Sequence, residues 1–223
     1  MTDEAPFLRL DWVLDNLDML AQRTWEHVVL TLIAVGVGIL IAFPLTLLIH
    51  RRRRLIGPVL GVAGVLYTIP SLALFALLIP ITGAFGLLTP EIGLVSYTLL
   101  ILLRNGLAGL DGVEPDIIEA ANGLGHTRMQ RLWQVELPLA APVLLAGIRI
   151  ATVTTIGLVA VTALIGQGGL GFVIIVEGIR RSFATAILVG VVLSIALAVM
   201  ADRSLVLAER AVTPWARARA GMG

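Results

Sequence analysis

The sequence contains no cysteine and no lysine, and it is poor in aromatic and charged residues. Without cysteine there are no disulfides, no thiolate nucleophile and no cysteine metal ligands. All 16 basic positions are arginine, which reads as coding bias and not as chemistry. Charged residues make up only 14% of the chain, against about one quarter in soluble domains, while 58% are hydrophobic. With a mean hydropathy of +0.97, the chain reads as an all-α integral membrane protein. Most of its 223 residues fall in spans, which leaves no room for a separate soluble domain. A formal net charge of +1 gives no reason to expect a nucleic-acid partner. His27, His50 and His126 lie in different segments, so neither a metal site nor a haem ligand pair is expected. No nucleophile–base constellation and no pair of carboxylates within the spans is visible; the expectation is a chain with no catalytic residue and no bound cofactor.

The apolar runs divide the chain. Residues 1–24 lack the basic and short apolar regions of a signal peptide. Leu10, Val13, Leu14, Leu17, Leu20 and Ala21 recur there at helical spacing with Asp11, Asp15 and Asp18 between them, a pattern expected of an amphipathic surface helix in an extracytoplasmic leader, 1–27. Five spans are predicted: Val28–Ile49, Leu55–Ile81, Ile92–Leu110, Leu139–Ile165 and Phe183–Ala201. Each is long enough for roughly 30 Å of hydrocarbon. Pro70, within Tyr67-Thr68-Ile69-Pro70-Ser71, predicts a kink or break in the second. Gly36 and Gly38 in the first span, with Gly57, Gly61 and Gly64 in the second, predict close helix packing. Segment 166–182 opens Gly-Gln-Gly-Gly-Leu-Gly; its apolar run Phe172–Ile179 is too short to cross and is expected as an outer re-entrant or interfacial helix, a possible gate. These glycines are no phosphate loop, since no strand precedes them and no lysine follows.

Arginine placement gives the orientation. With the N-terminus outside, eleven arginines fall on the cytoplasmic side, including Arg51–Arg54 and the polar tail 209–223, against four outside. That bias matches the positive-inside rule and puts the polar loop between spans three and four, 112–138, in the cytoplasm. The loop has its own local logic. Pro115 suits the first position of a helix, and Asp116 the positive end of its dipole. The helix runs through Glu119, Ala120 and Ala121 to Gly123 or Gly125, either of which can supply a left-handed closing residue. Thr127 and Gln130 have capping-box spacing for a second short helix from Arg128, and Pro138 is expected to stop it. The result is a rigid knob whose alanines permit close approach and whose Glu119 offers a carboxylate.

The loop reads Glu119-Ala120-Ala121, three residues, Gly125, nine residues, Val135, one residue, Leu137-Pro138. This resembles the cytoplasmic loop of binding-protein-dependent ABC importer permeases, with Val135 in place of the usual isoleucine. The stretches Tyr67–Leu74, Leu137–Pro142 with Gly147-Ile148-Arg149, and Ala163–Gly171 resemble the osmoprotectant branch, and the likeness covers about residues 28–208. It implies a five-span type I importer permease with a coupling helix between spans three and four, in the bacterial inner membrane. The cargo it implies is glycine betaine, carnitine, choline or a related quaternary ammonium compound. The implied partners are two cytoplasmic ATPase subunits that bind the ATP and magnesium, a second identical or paralogous permease, and an extracytoplasmic binding protein. The short tail makes that receptor a separate protein in expectation. Glu119, Ala120, Ala121 and Gly125 would dock the ATPase, with Val135, Leu137 and Pro138 fixing the loop's exit.

Thr68, Pro70, Ser71, Arg149 and Thr152 are candidates for the translocation path or gate. Arg149 is the one ionisable residue well inside a span, either lining the path or a subunit interface, or snorkelling to the headgroups. Tyr67 and Tyr97 are too few for an aromatic cage, so selection is expected mostly in the binding protein. Other readings remain: a permease for an amino acid or a betaine-like thione, or an ion-coupled secondary transporter. Against the last stand the small number of spans, the lack of an inverted repeat, and the lack of buried acidic residues.

Overall fold

The computed structural model describes residues 8–83 and 86–215; Arg217 and Arg219 of the predicted tail lie outside them. Among the described residues every regular element is helical. In chain order these are α1 (Leu10–Asp15), α2 (Leu17–Arg51), α3 (Ile56–Thr68), α4 (Ser71–Thr82), α5 (Leu88–Asp111), α6 (Pro115–Gly123), α7 (Arg128–Arg131), α8 (Leu137–Val161), α9 (Leu170–Phe172) and α10 (Ala184–Val212). A single π-turn stretch, Leu132–Glu136, joins α7 to α8, and another, Val173–Ile179, continues α9.

Among the described residues four helices are long and apolar enough to cross a membrane: Leu17–Arg51, Leu88–Asp111, Arg128–Ile165 and Ala184–Val212. The pair Arg53–Thr68 and Ser71–Thr82 makes the fifth if counted as one broken span. The break falls at Ile69-Pro70, where Pro70 (φ −55°, ψ 133°) is extended and caps α4. A proline ring disfavours helical backbone in the residue before it, so α3 stops at Thr68.

Several predicted boundaries move. The first span's helix begins at Leu17, so the surface helix is confined to Leu10–Asp15. Arg9 N–H ties its start to Thr185 Oγ1 at 3.0 Å. Pro138 does not stop the helix that begins at Arg128; the helix runs on to Ile165. The π turn at Leu132–Glu136 lies one turn before Pro138, where the wider spacing accommodates a ring with no N–H to donate. Of the glycines predicted at packing faces, Gly38 does lie against Thr98. At Gly36, Gly57, Gly61 and Gly64 a Cβ would meet nothing within 4 Å.

The contacts divide into two units. One comprises the described parts of Met1–Gly36, Ile69–Val95 and Thr152–Met200; the other Val37–Thr68, Ser96–Ala151 and the described part of Ala201–Gly223. The first has a core of Leu30, Ala34, Phe75, Leu94 and Val159, and a smaller cluster of Leu20, Val173 and Ala186. The second is centred on Ile49, Leu103 and Ala151, with a cluster of Leu110, Leu132 and Ala140 beneath the polar loop. That last cluster anchors the loop, because burying its leucines is worth about 2 kcal/mol each.

Candidate functional site

The loop after α5 is built as its sequence dictates. Pro115 occupies the first turn of α6 behind Glu114. The helix closes in a Schellman motif: His126 N–H donates to Ala121 O at 3.2 Å and Gly125 N–H to Asn122 O at 3.0 Å. Gly125 is the left-handed residue, at φ +81°. His126 Nδ1 lies 3.1 Å from the same Ala121 carbonyl. The predicted capping box is present at the next start, with Gln130 N–H on Thr127 Oγ1 at 3.3 Å and Thr127 N–H on Gln130 Oε1 at 2.9 Å. Two turns of helix therefore meet at one fixed corner.

Glu119, Ala120, Gly123 and Gly125 face outward, with Leu124 80% exposed. Among the described residues nothing bonds the Glu119 carboxylate. Ala121 faces inward instead; it is buried against its own chain. The outward face of this corner therefore carries a carboxylate, an exposed leucine and small residues. Val135, Leu137 and Pro138 are half-buried within the continuous helix, Leu137 against the Leu110 cluster.

A chain of polar contacts that sequence reading missed ties this corner to the ends of the spans. Arg131 Nη1 donates to Asn122 Oδ1 at 2.8 Å and its Nε to Glu136 Oε1 at 2.6 Å. Glu136 is only 4% exposed. Its other oxygen is 3.6 Å from His50 Nε2, and His50 Nδ1 is 2.9 Å from Asp111 Oδ1. Arg53 Nη1 closes the series on Asp111 Oδ2 at 2.6 Å. The series thus runs from Asn122 of α6 to His50 of α2, Asp111 of α5 and Arg53 at the start of the broken span. Only the proximity of polar residues to span ends hinted at this network; it joins His50 to Asp111, 61 positions away, and to Glu136, further still along the chain.

The path candidates fall in both units, Thr68 and Arg149 in the second and Pro70, Ser71 and Thr152 in the first. Thr68 caps its own helix end, bonding Val65 O at 2.8 Å, while Pro70 and Ser71 open α4. Tyr67 and Tyr97 meet edge to face, with centroids 5.6 Å apart. Thr152 is buried in the other unit from Thr68. Arg149 is paired: its Nε and Nη2 donate to Asp202 Oδ1 at 3.0 and 2.9 Å, and Nη1 to Glu209 Oε2 at 3.3 Å. It fastens α8 to α10, so the cost of a charge within a span is offset by two carboxylates.

The segment after Ile165 is held in the same manner. Gly169 N–H donates to Glu26 Oε2 at 3.0 Å and Leu170 N–H to His27 Nδ1 at 3.2 Å. His27 is fully buried and its Nε2 lies 2.9 Å from Ile156 O. Nδ1 accepts, so Nε2 carries the proton and donates. Gly169 has φ +77°, a conformation that favours glycine at the fastening point. A further correction concerns Glu91. It lies in α5, is buried, and neither carboxylate oxygen has a partner among the described residues, so the expectation of no buried acid does not hold.

Among the described residues no group of three His, Cys, Asp or Glu is placed to hold a metal ion. The described residues provide an outward corner, a series of polar contacts behind it, a broken span and a fastened segment after Ile165.

Comparison with known proteins gives the family. Residues 34–214 match the family described as binding-protein-dependent transport system inner membrane component. The chain is 40% identical to the osmoprotectant import permease protein OsmW of Salmonella typhimurium over 92% of this chain and 97% of that one. It is 38% identical to the choline transport system permease protein OpuBB of Bacillus subtilis, over 87% of this chain and 89% of that one. The permease of an inward-facing MetNI methionine ABC transporter superposes with a TM-score of 0.82 at 25% identity, covering 88% of this chain and 97% of that one. The chain is a membrane-embedded, multi-pass member of the binding-protein-dependent transport system inner membrane component family.

Proposed function

We propose that this chain is a membrane-spanning subunit of an ATP-driven importer for quaternary ammonium osmoprotectants such as glycine betaine, carnitine or choline. The observation that carries this is the closed corner at Pro115–Gly125 with its unbonded Glu119 and the polar relay behind it. Relatives named for osmoprotectant, choline and carnitine transport, at 36–40% identity over most of the chain, support the cargo class. Two cytoplasmic ATPase subunits would dock at Glu119, Ala120 and Gly125. A second permease chain and an extracytoplasmic binding protein would complete the assembly, in a bacterial inner membrane with the N-terminus outside. The arginine bias of the sequence supports that orientation.

In this reading, ATP closure in the partner subunits swings α6 as a rigid lever. The Arg131–Glu136–His50–Asp111 series passes that displacement to the spans, and the break at Pro70 lets the second span bend. The chain itself does no chemistry; ATP and magnesium sit on the partner.

The test is ATP hydrolysis in proteoliposomes holding this chain with its ATPase, with binding protein and cargo added or omitted. Stimulation by glycine betaine, carnitine or choline only when the binding protein is present supports the proposal. Stimulation by methionine alone would transfer the cargo to the amino-acid class. Failure to bind any ATPase would remove the coupling role.

A further inference from the structure

The second unit contains a basic cavity that borders the Arg131–Glu136–His50 series and carries two further arginines, Arg51 and Arg128, to which the coupling role assigns nothing. It has a volume of about 370 Å³ and lies between the end of α2 and the helix that starts at Arg128. Arg51, Arg128 and Arg131 line it together with His50 and Glu136. Glu136 does not oppose an anion here, because its carboxylate is already held by Arg131 at 2.6 Å and faces His50 at 3.6 Å. That contact in turn fixes the Arg131 guanidinium at the cavity wall. Arg51 and Arg128 make no hydrogen bond or ion pair with any described residue. Two unpaired guanidiniums and a third pinned in place thus converge on one concavity.

The depth of this cavity decides what fills it. Val28–Ile49 carries no charge, and His50 and Arg51 follow at once, so the cavity mouth lies at headgroup level. Leu47 and Leu132 give it an apolar wall. Trp133, 55% exposed and inclined on Phe43 at 6.3 Å, marks the same interface. At that depth the abundant anion is a phospholipid phosphate, and guanidiniums bind phosphate oxygens in paired hydrogen bonds. Basic pockets between spans are a known way to hold anionic headgroups. We infer that this cavity binds the phosphoryl headgroup of an anionic phospholipid, with Arg51 and Arg128 as its ligands and the mutually neutralised Arg131–Glu136 pair as its wall. The inference rests on the membrane embedding and not on the cargo or on ATPase coupling.

The experiment is native mass spectrometry of the full chain in zwitterionic detergent, titrated with phosphatidylglycerol or with phosphatidylcholine of the same acyl chains. One phosphatidylglycerol should be retained in preference to phosphatidylcholine. In R51Q/R128Q that preference should fall roughly thirty-fold, and in R51Q alone roughly five-fold, at the usual worth of one arginine near an anionic headgroup. R104Q/R180Q, which removes two arginines outside the cavity, should leave it unchanged. Helical circular dichroism checks that each variant is folded, and the R51Q result stands if the double variant is not. No preference in the wild type, or an equal preference in R51Q and R51Q/R128Q, overturns the inference. Displacement of the lipid by millimolar inorganic phosphate would make the site one for a free anion, and its release on adding the ATPase would make it a seat for the partner. Either would overturn the lipid assignment.

Discussion

Gly125 offers a clean way to test whether the corner at the end of α6 works as a rigid part. Its φ of +81° lies in the left-handed region, and a Cβ added there would meet nothing within 4 Å. Gly125→Ala therefore introduces no clash, and its whole cost is backbone conformation, about 1–2 kcal/mol for an L-residue. That is enough to open the closing turn five- to thirty-fold more often. Gly123 provides the matched control. It also has open space around it, but it belongs to the helix proper and has no positive φ. Gly123→Ala should be neutral or favourable by up to about 1 kcal/mol. Gly125→Asn should fall between, since asparagine tolerates the left-handed region. Hydrogen exchange at the amides of Gly125 and His126, both bonded in the closing motif, reads the opening directly. Binding-protein-stimulated ATP hydrolysis in the assembled transporter reads its consequence. Faster exchange and lower stimulation are expected in Gly125→Ala but not in Gly123→Ala. Equal behaviour of the two alanine variants would refute the conformational argument. Faster exchange with undiminished stimulation would refute the rigid lever.

The charge at the same corner can be tested separately: Glu119→Arg should abolish stimulated hydrolysis while leaving membrane insertion and thermal stability near wild type, since no described residue bonds that carboxylate. Arg149→Gln leaves Asp202 and Glu209 facing each other without a cation. With side chains about a third exposed, solvent screens part of the interaction, so a moderate loss of stability is expected. It would be read as a lowered Tm in detergent, with partial recovery in Arg149→Gln/Asp202→Asn. His27→Phe removes the acceptor for Leu170 N–H, costing about 1–3 kcal/mol. The chain has no native cysteine, so a single Gln167→Cys reports the loosening as faster thiol labelling; an unchanged rate would mean that His27 does not hold the segment.

The parts read correctly from the sequence were those whose cause lies within a few residues. Pro115 at a helix start, Thr127 with Gln130 as a box, and Gly125 as a left-handed stop are local rules, and the structure follows them. The break at Pro70 follows from the steric demand of proline on the residue before it. Pro138 shows where such a rule fails. A proline was expected to end the helix, but a π turn immediately before it relaxes the ring's conflict with the preceding carbonyls. The helix then continues because its apolar face, with Leu132, Leu137 and Ala140 on one cluster, favours continuation over a stop.

The polar interior was not legible, for a reason that bears on mechanism. Arg149 finds Asp202 across 53 positions, and Gly169 and Leu170 find Glu26 and His27 across 143. Nothing periodic marks either end, since each pair is specified by how helices pack and not by any one helix. An ionisable group in an apolar setting is costly unless it is paired. Each such pair is therefore well formed only in particular helix arrangements, and a change of arrangement must break it or replace it. Arg149 joins α8 to α10, the relay through Glu136 joins the loop to α2 and α5, and Glu26 with His27 holds the segment after Ile165. Apolar contacts between helices can slide with little loss, whereas these contacts have one geometry each. In a protein that must change shape to work, they are the places where alternative states can differ by several kcal/mol. Glu91, buried with no partner among the described residues, is the exception that fits the same logic. A carboxylate left without a partner in one arrangement is a group that another arrangement can satisfy. Glu91→Gln should raise stability here by removing an unpartnered buried acid, and disulfide crosslinking of α5 to each neighbouring helix would reveal the satisfying arrangement as one in which it no longer does.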